Sequence, residues 1–122
     1  MKKEDSFIID RLNSIKYALR GAFKLITTES SIMAQSMVFF VFCALGYIVG
    51  ISSLDWMIQF LCFGLVLTAE GLNTAIEKLC DFVHPDFHDK IGEVKDISAG
   101  AVTFAASASF VAACFIYYPY FF

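Results

Sequence analysis

Four residues within one short stretch, Glu70, Asn73, Glu77 and Asp81, have the types and spacing to do chemistry together. Wound as a helix at about 100° per residue, they fall near 0°, −60°, −20° and 20°, so three carboxylates and an amide share one stripe. Thr74 lies near the same face. The stripe begins inside an apolar run and descends into a charged segment. Acids at membrane depth are costly to hold ionised and mark functional sites. Two chemistries suit this arrangement. In the first, carboxylates hold Mg²⁺ together with substrate phosphates, and another carboxylate accepts a proton from a hydroxyl, which is phosphoryl transfer to an amphiphile. In the second, the acids relay protons in a small carrier, or hold together a non-catalytic scaffold. A purely structural account keeps Glu70 protonated or ion-paired. That account suits a single buried acid better than two acids and an asparagine in register.

The elements that position the stripe follow from composition. The chain has 122 residues, of which 58% are hydrophobic and 17% charged, fewer charges than the roughly 25% of a soluble domain. The charges are segregated: residues 30–54, 56–69 and 97–122 contain no Asp, Glu, Lys or Arg. A helix needs ~20 apolar residues to cross a bilayer core. The first and third runs suffice alone, and the second only if its helix continues through Glu70 toward Glu77. The expectation is an all-α integral membrane protein, one domain over residues 1–122, with membrane helices at 32–53, 56–83 and 96–118. All nine Lys and Arg lie within residues 2–24 or 78–95. The positive-inside rule therefore puts the N-terminus and the 81–95 loop in the cytoplasm, and the 53–56 turn and C-terminus outside. No signal peptide is expected, because the first apolar run begins only near Ile32.

Residues 6–27 carry apolar side chains three and four apart (Ile8, Leu12, Ile15, Leu19, Phe23, Ile26), with a ridge of Lys16, Arg20 and Lys24 on another face. This predicts an amphipathic helix lying in the interface. Glu29 follows in a polar break. It reads equally as a first-turn acid near Ser or Thr caps and as a carboxylate aimed at a site. In the first span, Gly46 and Gly50 have the spacing of a close helix contact, and Trp56 stands like an interface anchor. Residues 82–95 read as a polar loop broken by Pro85 and Gly92, where His84 and His88 are solvated side chains rather than metal ligands. Ala101, Ala105, Ser109 and Ala113 form a small-residue ridge on the third span. Cys43, Cys62, Cys80 and Cys114 have no metal-site spacing and read as small packing residues. There is no P-loop and no kinase-type glycine-rich loop.

The run Glu70-x-x-Asn73-Thr74-Ala75-Ile76-Glu77-x-x-x-Asp81, followed by Lys95-Asp96-x-x-Ala99-Gly100-Ala101-Val102, resembles the bacterial integral-membrane diacylglycerol kinase and undecaprenol kinase family. The likeness extends to Arg11-x-x-Ser14-x-x-Tyr17-Ala18-x-x-Gly21, to Glu29 and to the three-span layout, and so covers most of the chain. It implies an ATP-dependent lipid kinase of the bacterial cytoplasmic membrane. It further implies a homotrimer with active sites shared between protomers, and Mg²⁺ as cofactor. Carried over residue by residue, Glu70 is the general base, and Glu29 and Glu77 are the metal ligands. Tyr17, Glu29, Asn73, Glu77, Asp81, Asp86, His88, Lys95 and Asp96 bind nucleotide. Arg11, Glu70 and Ala99 contact the lipid. Ser31, Met33 and Gln35 depart from the family pattern near the expected lipid site, and so bear on the identity of the acceptor. The wording from Lys95 to Val102 is closer to the undecaprenol kinases.

Overall fold

A computed structural model describes residues 3–122, with side chains from Ser6 onward. It is all-helical: α1 (Lys3–Thr28), α2 (Ser30–Val49), α3 (Ser53–Val83) and α4 (Asp89–Phe121). The last three are long and apolar enough to cross a membrane. At 1.5 Å per residue, the 20 residues of α2 span about 30 Å, the thickness of a hydrocarbon core. The 31 residues of α3 and the 33 of α4 exceed that by about 15 to 20 Å. Measured from Ser53, a 20-residue crossing of α3 ends near Leu72. Glu70 therefore falls at the edge of the core, with Glu77 about 10 Å and Asp81 about 16 Å further along the axis.

The joints differ from the sequence expectation for local reasons. The first span ends at Val49 instead of residue 53. Gly50 takes the left-handed conformation (φ 77°), and the N–H groups of Gly50 and Ile51 both donate to the Gly46 carbonyl, at 2.9 and 3.1 Å. This is a glycine C-cap. Gly46 and Gly50 are therefore not one helix-contact pair. Gly50 closes the helix, while Gly46 is buried where an added Cβ would lie 2.9 Å from Ile51 Cδ1 and 3.1 Å from Tyr117 Oη. The turn is Gly50–Ser52, not 53–56. Ser52 starts α3 as its N-cap, its Oγ accepting from Asp55 N–H at 3.1 Å. The expected 82–95 loop shrinks to residues 84–88. Pro85 alone breaks the chain; Gly92 is helical, its N–H donating to the His88 carbonyl at 2.9 Å. One interior glycine costs only about 1 kcal/mol, so it does not stop a helix that begins with a good cap.

The core sits at the end of the bundle that holds the α2–α3 turn. Ile51, Ile116 and Tyr117 are buried there against Phe42, Leu45, Val49, Trp56 and Ile58. Tyr117 Oη donates to Gln59 Oε1 at 2.6 Å, and the Phe42 carbonyl lies at 3.0 Å as a second acceptor. Phe39 and Phe63 stack at 3.8 Å between α2 and α3. The small-residue ridge of α4 meets α3 as expected: Ala105 is buried, and Ser109 Oγ donates to the Cys62 carbonyl at 3.4 Å. Most large apolar side chains remain exposed, as they must when the surroundings are lipid or other chains rather than water. Residues 6–24 of α1 are all exposed. The helix docks through its last turns, where Leu25 reaches Gly71 of α3.

Candidate active site

The opposite end of the bundle carries the acids. Glu70 and Asn73 are half-buried on α3, Thr74 is buried between them and Glu77, and Glu77 and Asp81 are exposed. The stripe is held internally by Asn73, whose Nδ2 donates to Glu77 Oε1 at 3.1 Å. Because the carboxylate can only accept, this contact orients the amide and sends Asn73 Oδ1 the other way. That oxygen is buried without a hydrogen-bond partner, as is Gln59 Nε2 at the other end of the bundle, an arrangement that costs free energy unless another group supplies the bond.

Two cations reach the acids. From the charged first turns of α4, ahead of the uncharged run, Lys95 Nζ donates to Asp81 Oδ1 at 2.6 Å. The bond pushes the ammonium above its ordinary range, so it stays charged at neutral pH. From α3 itself, Lys78 Nζ lies 3.2 Å from Glu29 Oε1. Glu29 is the single residue between α1 and α2. It stands at the N-cap of α2 (φ −99°, ψ 115°), yet its side chain makes no capping bond. Glu29 thus stands at a helix start, as one of the two sequence readings has it, and its carboxylate points across to α3. Glu70 and Glu77 have no ion-pair partner among the described residues.

Among the described residues, the remaining candidates form no side-chain hydrogen bond or ion pair with the stripe. In the 84–88 loop, His84 Nδ1 lies 2.7 Å from the Asp86 carbonyl, and His88 Nδ1 accepts the Lys90 N–H at 3.1 Å as the N-cap of α4. A carbonyl only accepts, so His84 carries its neutral-form proton on Nδ1; His88 carries its own on Nε2, free to donate. Asp96 and Ala99 are exposed on α4. Tyr17 and Arg11 are exposed on α1, with the Arg20 guanidinium 5.7 Å from the Tyr17 ring and the Arg11 guanidinium 5.5 Å from the Phe7 ring. Among the described residues no three acids, histidines or cysteines form a metal cluster. The available donors are oxygens, the Glu29 and Glu77 carboxylates. Such a set fits a hard cation that takes one or two carboxylates and completes its shell with phosphates and water.

The same pattern recurs in known proteins. Residues 16–117 match the family described as prokaryotic diacylglycerol kinase. The chain belongs to that family. It is 32% identical over 106 residues to the undecaprenol kinase of Bacillus subtilis (strain 168), covering 87% of this chain and 86% of that one. The protein is thus a lipid kinase, and its three apolar helices make it a multi-pass membrane protein of a prokaryotic family. Family membership removes the non-catalytic carrier. The matched segment takes in every proposed site residue except Arg11. Within this lipid kinase, sequence reasoning singled out Asn73 and Lys95 but passed over Lys78. The available signal was that Lys78 is the only cation in α3.

Proposed function

We propose that the chain transfers the γ-phosphoryl group of ATP to the hydroxyl of a membrane lipid, with undecaprenol as the acceptor. The observation that carries this reading is the gradient along α3, from half-buried Glu70 at the edge of the apolar run to exposed Glu77 and Asp81 facing Lys95. A lipid hydroxyl approaches from the bilayer and a nucleotide from water, so a site joining them needs its base at the boundary and its charge-neutralising groups beyond it. Glu70 is placed to accept the hydroxyl proton. Glu29 and Glu77 would hold Mg²⁺ against the phosphates, with Asn73 orienting Glu77, and the ion would neutralise charge on the transferring group. Lys95, released from Asp81, neutralises further phosphate charge, and the His88 Nε2–H donates from the loop. Asp81, Asp86, Asp96 and Tyr17 line the nucleotide side; Arg11 and Ala99 belong to the lipid side. As the lipid oxygen bonds to phosphorus, the bond to the bridging oxygen breaks, ADP leaves and Glu70 keeps the proton.

Undecaprenol is favoured over diacylglycerol by the name of the Bacillus relative and by the wording from Lys95 to Val102. We further infer a homotrimer in the bacterial cytoplasmic membrane, with the acidic end cytoplasmic, the C-terminus outside and α1 lying in the interface. The surplus of exposed apolar side chains and the unpartnered Glu70 support sites completed by a neighbouring protomer. The test is transfer of radiolabelled phosphate from ATP to undecaprenol and to diacylglycerol by the purified protein in micelles, with Mg²⁺ present or chelated. Faster phosphorylation of undecaprenol, abolished by chelation, is expected. Preference for diacylglycerol would overturn the acceptor, and chelator-resistant transfer would overturn the metal.

A further inference from the structure

The ion pair between Lys78 and Glu29 is left over from the reaction described above. Three facts define it. Glu29 gives up the capping role its position offers and turns its carboxylate to Lys78 at 3.2 Å. The contact adjoins the point where α1 meets α3, because Gly71 and Lys78, seven residues apart, lie on one face of α3 and Gly71 receives Leu25. Lys78 follows Glu77 directly, about 100° further round α3, so the pair holds Glu29 on the flank of the helix next to the acidic stripe. With Lys95 on Asp81, the two cations neutralise the two acids that lie outside the Glu70–Glu77 core of the stripe.

We propose that Lys78 is a placeholder cation for Glu29. Its ammonium occupies the carboxylate while no metal is bound and is displaced when a divalent cation takes Glu29 and Glu77. The proposal rests on the reading of Glu29 and Glu77 as the metal pair. Its physical content is charge exchange. Without Lys78, the Glu29 carboxylate would lose the ion pair that ties the α1–α2 joint to α3 whenever the metal is absent. With Lys78 present, an arriving cation must break an existing pair, so the lysine holds the site's shape at the cost of some metal affinity. Both side chains are partly exposed, at 59% for Lys78 and 25% for Glu29, so the competition is modest and readily reversed.

The test is direct binding of Mn²⁺, as a Mg²⁺ probe, to the full-length protein in micelles by electron paramagnetic resonance, with ADP present. Wild type is compared with K78M, K78Q, K78R, E29Q and E77Q. Removing a competing exposed ion pair should tighten Mn²⁺ binding roughly two- to fivefold in K78M and K78Q, while K78R binds like wild type. E29Q and E77Q should bind at least tenfold more weakly. A merely structural lysine would move the affinity the other way, because a loosened joint misplaces Glu29. Unchanged or weaker binding in both K78M and K78Q, with E29Q impaired, overturns the placeholder role and leaves the metal pair standing. Wild-type binding by E29Q overturns the metal pair and the placeholder with it.

Discussion

The two ends of the helical bundle are built on opposite principles. At the Tyr117 end, three elements close on one another: Ile51, Ile116 and Tyr117 are buried, Gly46 lets the chain approach within contact distance, and the Tyr117 hydroxyl is tied to Gln59. At the Glu77 end the helices outrun the apolar run, the acids are half-exposed, the ion pairs lie at the surface, and Asn73 Oδ1 is buried without a partner. Each end keeps a buried polar atom without a partner, Gln59 Nε2 at the first and Asn73 Oδ1 at the second, and the second also exposes its carboxylates. The aromatic and aliphatic cluster around Tyr117 closes the first end, while the second keeps its charged side chains at the surface.

If the contrast is right, a change at the acidic end should abolish activity without unfolding the chain, and a change at the packed end should do the reverse. E70Q carries the largest expected effect: a loss of more than about a hundredfold in kcat, the usual contribution of a general base, with the melting temperature of the micellar protein unmoved. Near-wild-type turnover would remove Glu70 from that role. N73A releases the Glu77 carboxylate from its orienting amide and should weaken Mg²⁺ dependence about ten- to a hundredfold, as loss of a supporting partner does. Titrating activity against free Mg²⁺ measures it. At the packed end, G46A forces a Cβ against Ile51 and Tyr117 and should destabilise by about 1–3 kcal/mol, seen as a lower melting temperature. The specific activity of the folded fraction should stay within twofold. An activity loss exceeding the stability loss would show that the two ends are coupled. Y117F removes the hydroxyl that donates to Gln59 and should cost about 1 kcal/mol or less, the smallest effect, also read by thermal unfolding.

Much of this was legible in the chain because the signals are one-dimensional. Charge-free runs mark α2, α3 and α4, the middle one only when extended through Glu70, and 3.6-residue periodicity puts Glu70, Asn73, Glu77 and Asp81 on one face. The ends of the helices were less legible. Gly50 acts through a left-handed φ and Ser52 through a capping hydroxyl, and both lie in what reads as continuous apolar sequence. Gly92 carries the same letter as Gly50 but is helical, because His88 supplies a cap four residues earlier and Pro85 has already made the break.

By itself, then, the sequence determined the membrane layout, the acidic stripe and the family resemblance, since each depends on residue type and spacing along one chain. Only the tertiary structure decided what each polar group faces. It set Glu29 against Lys78, joined Lys95 to Asp81 across fourteen residues, and left Asn73 Oδ1 without a donor. Such pairings depend on how two helices meet, a relation that periodicity within one helix does not carry. The stripe became a candidate site when α4 and the α1–α2 joint brought their charges to it.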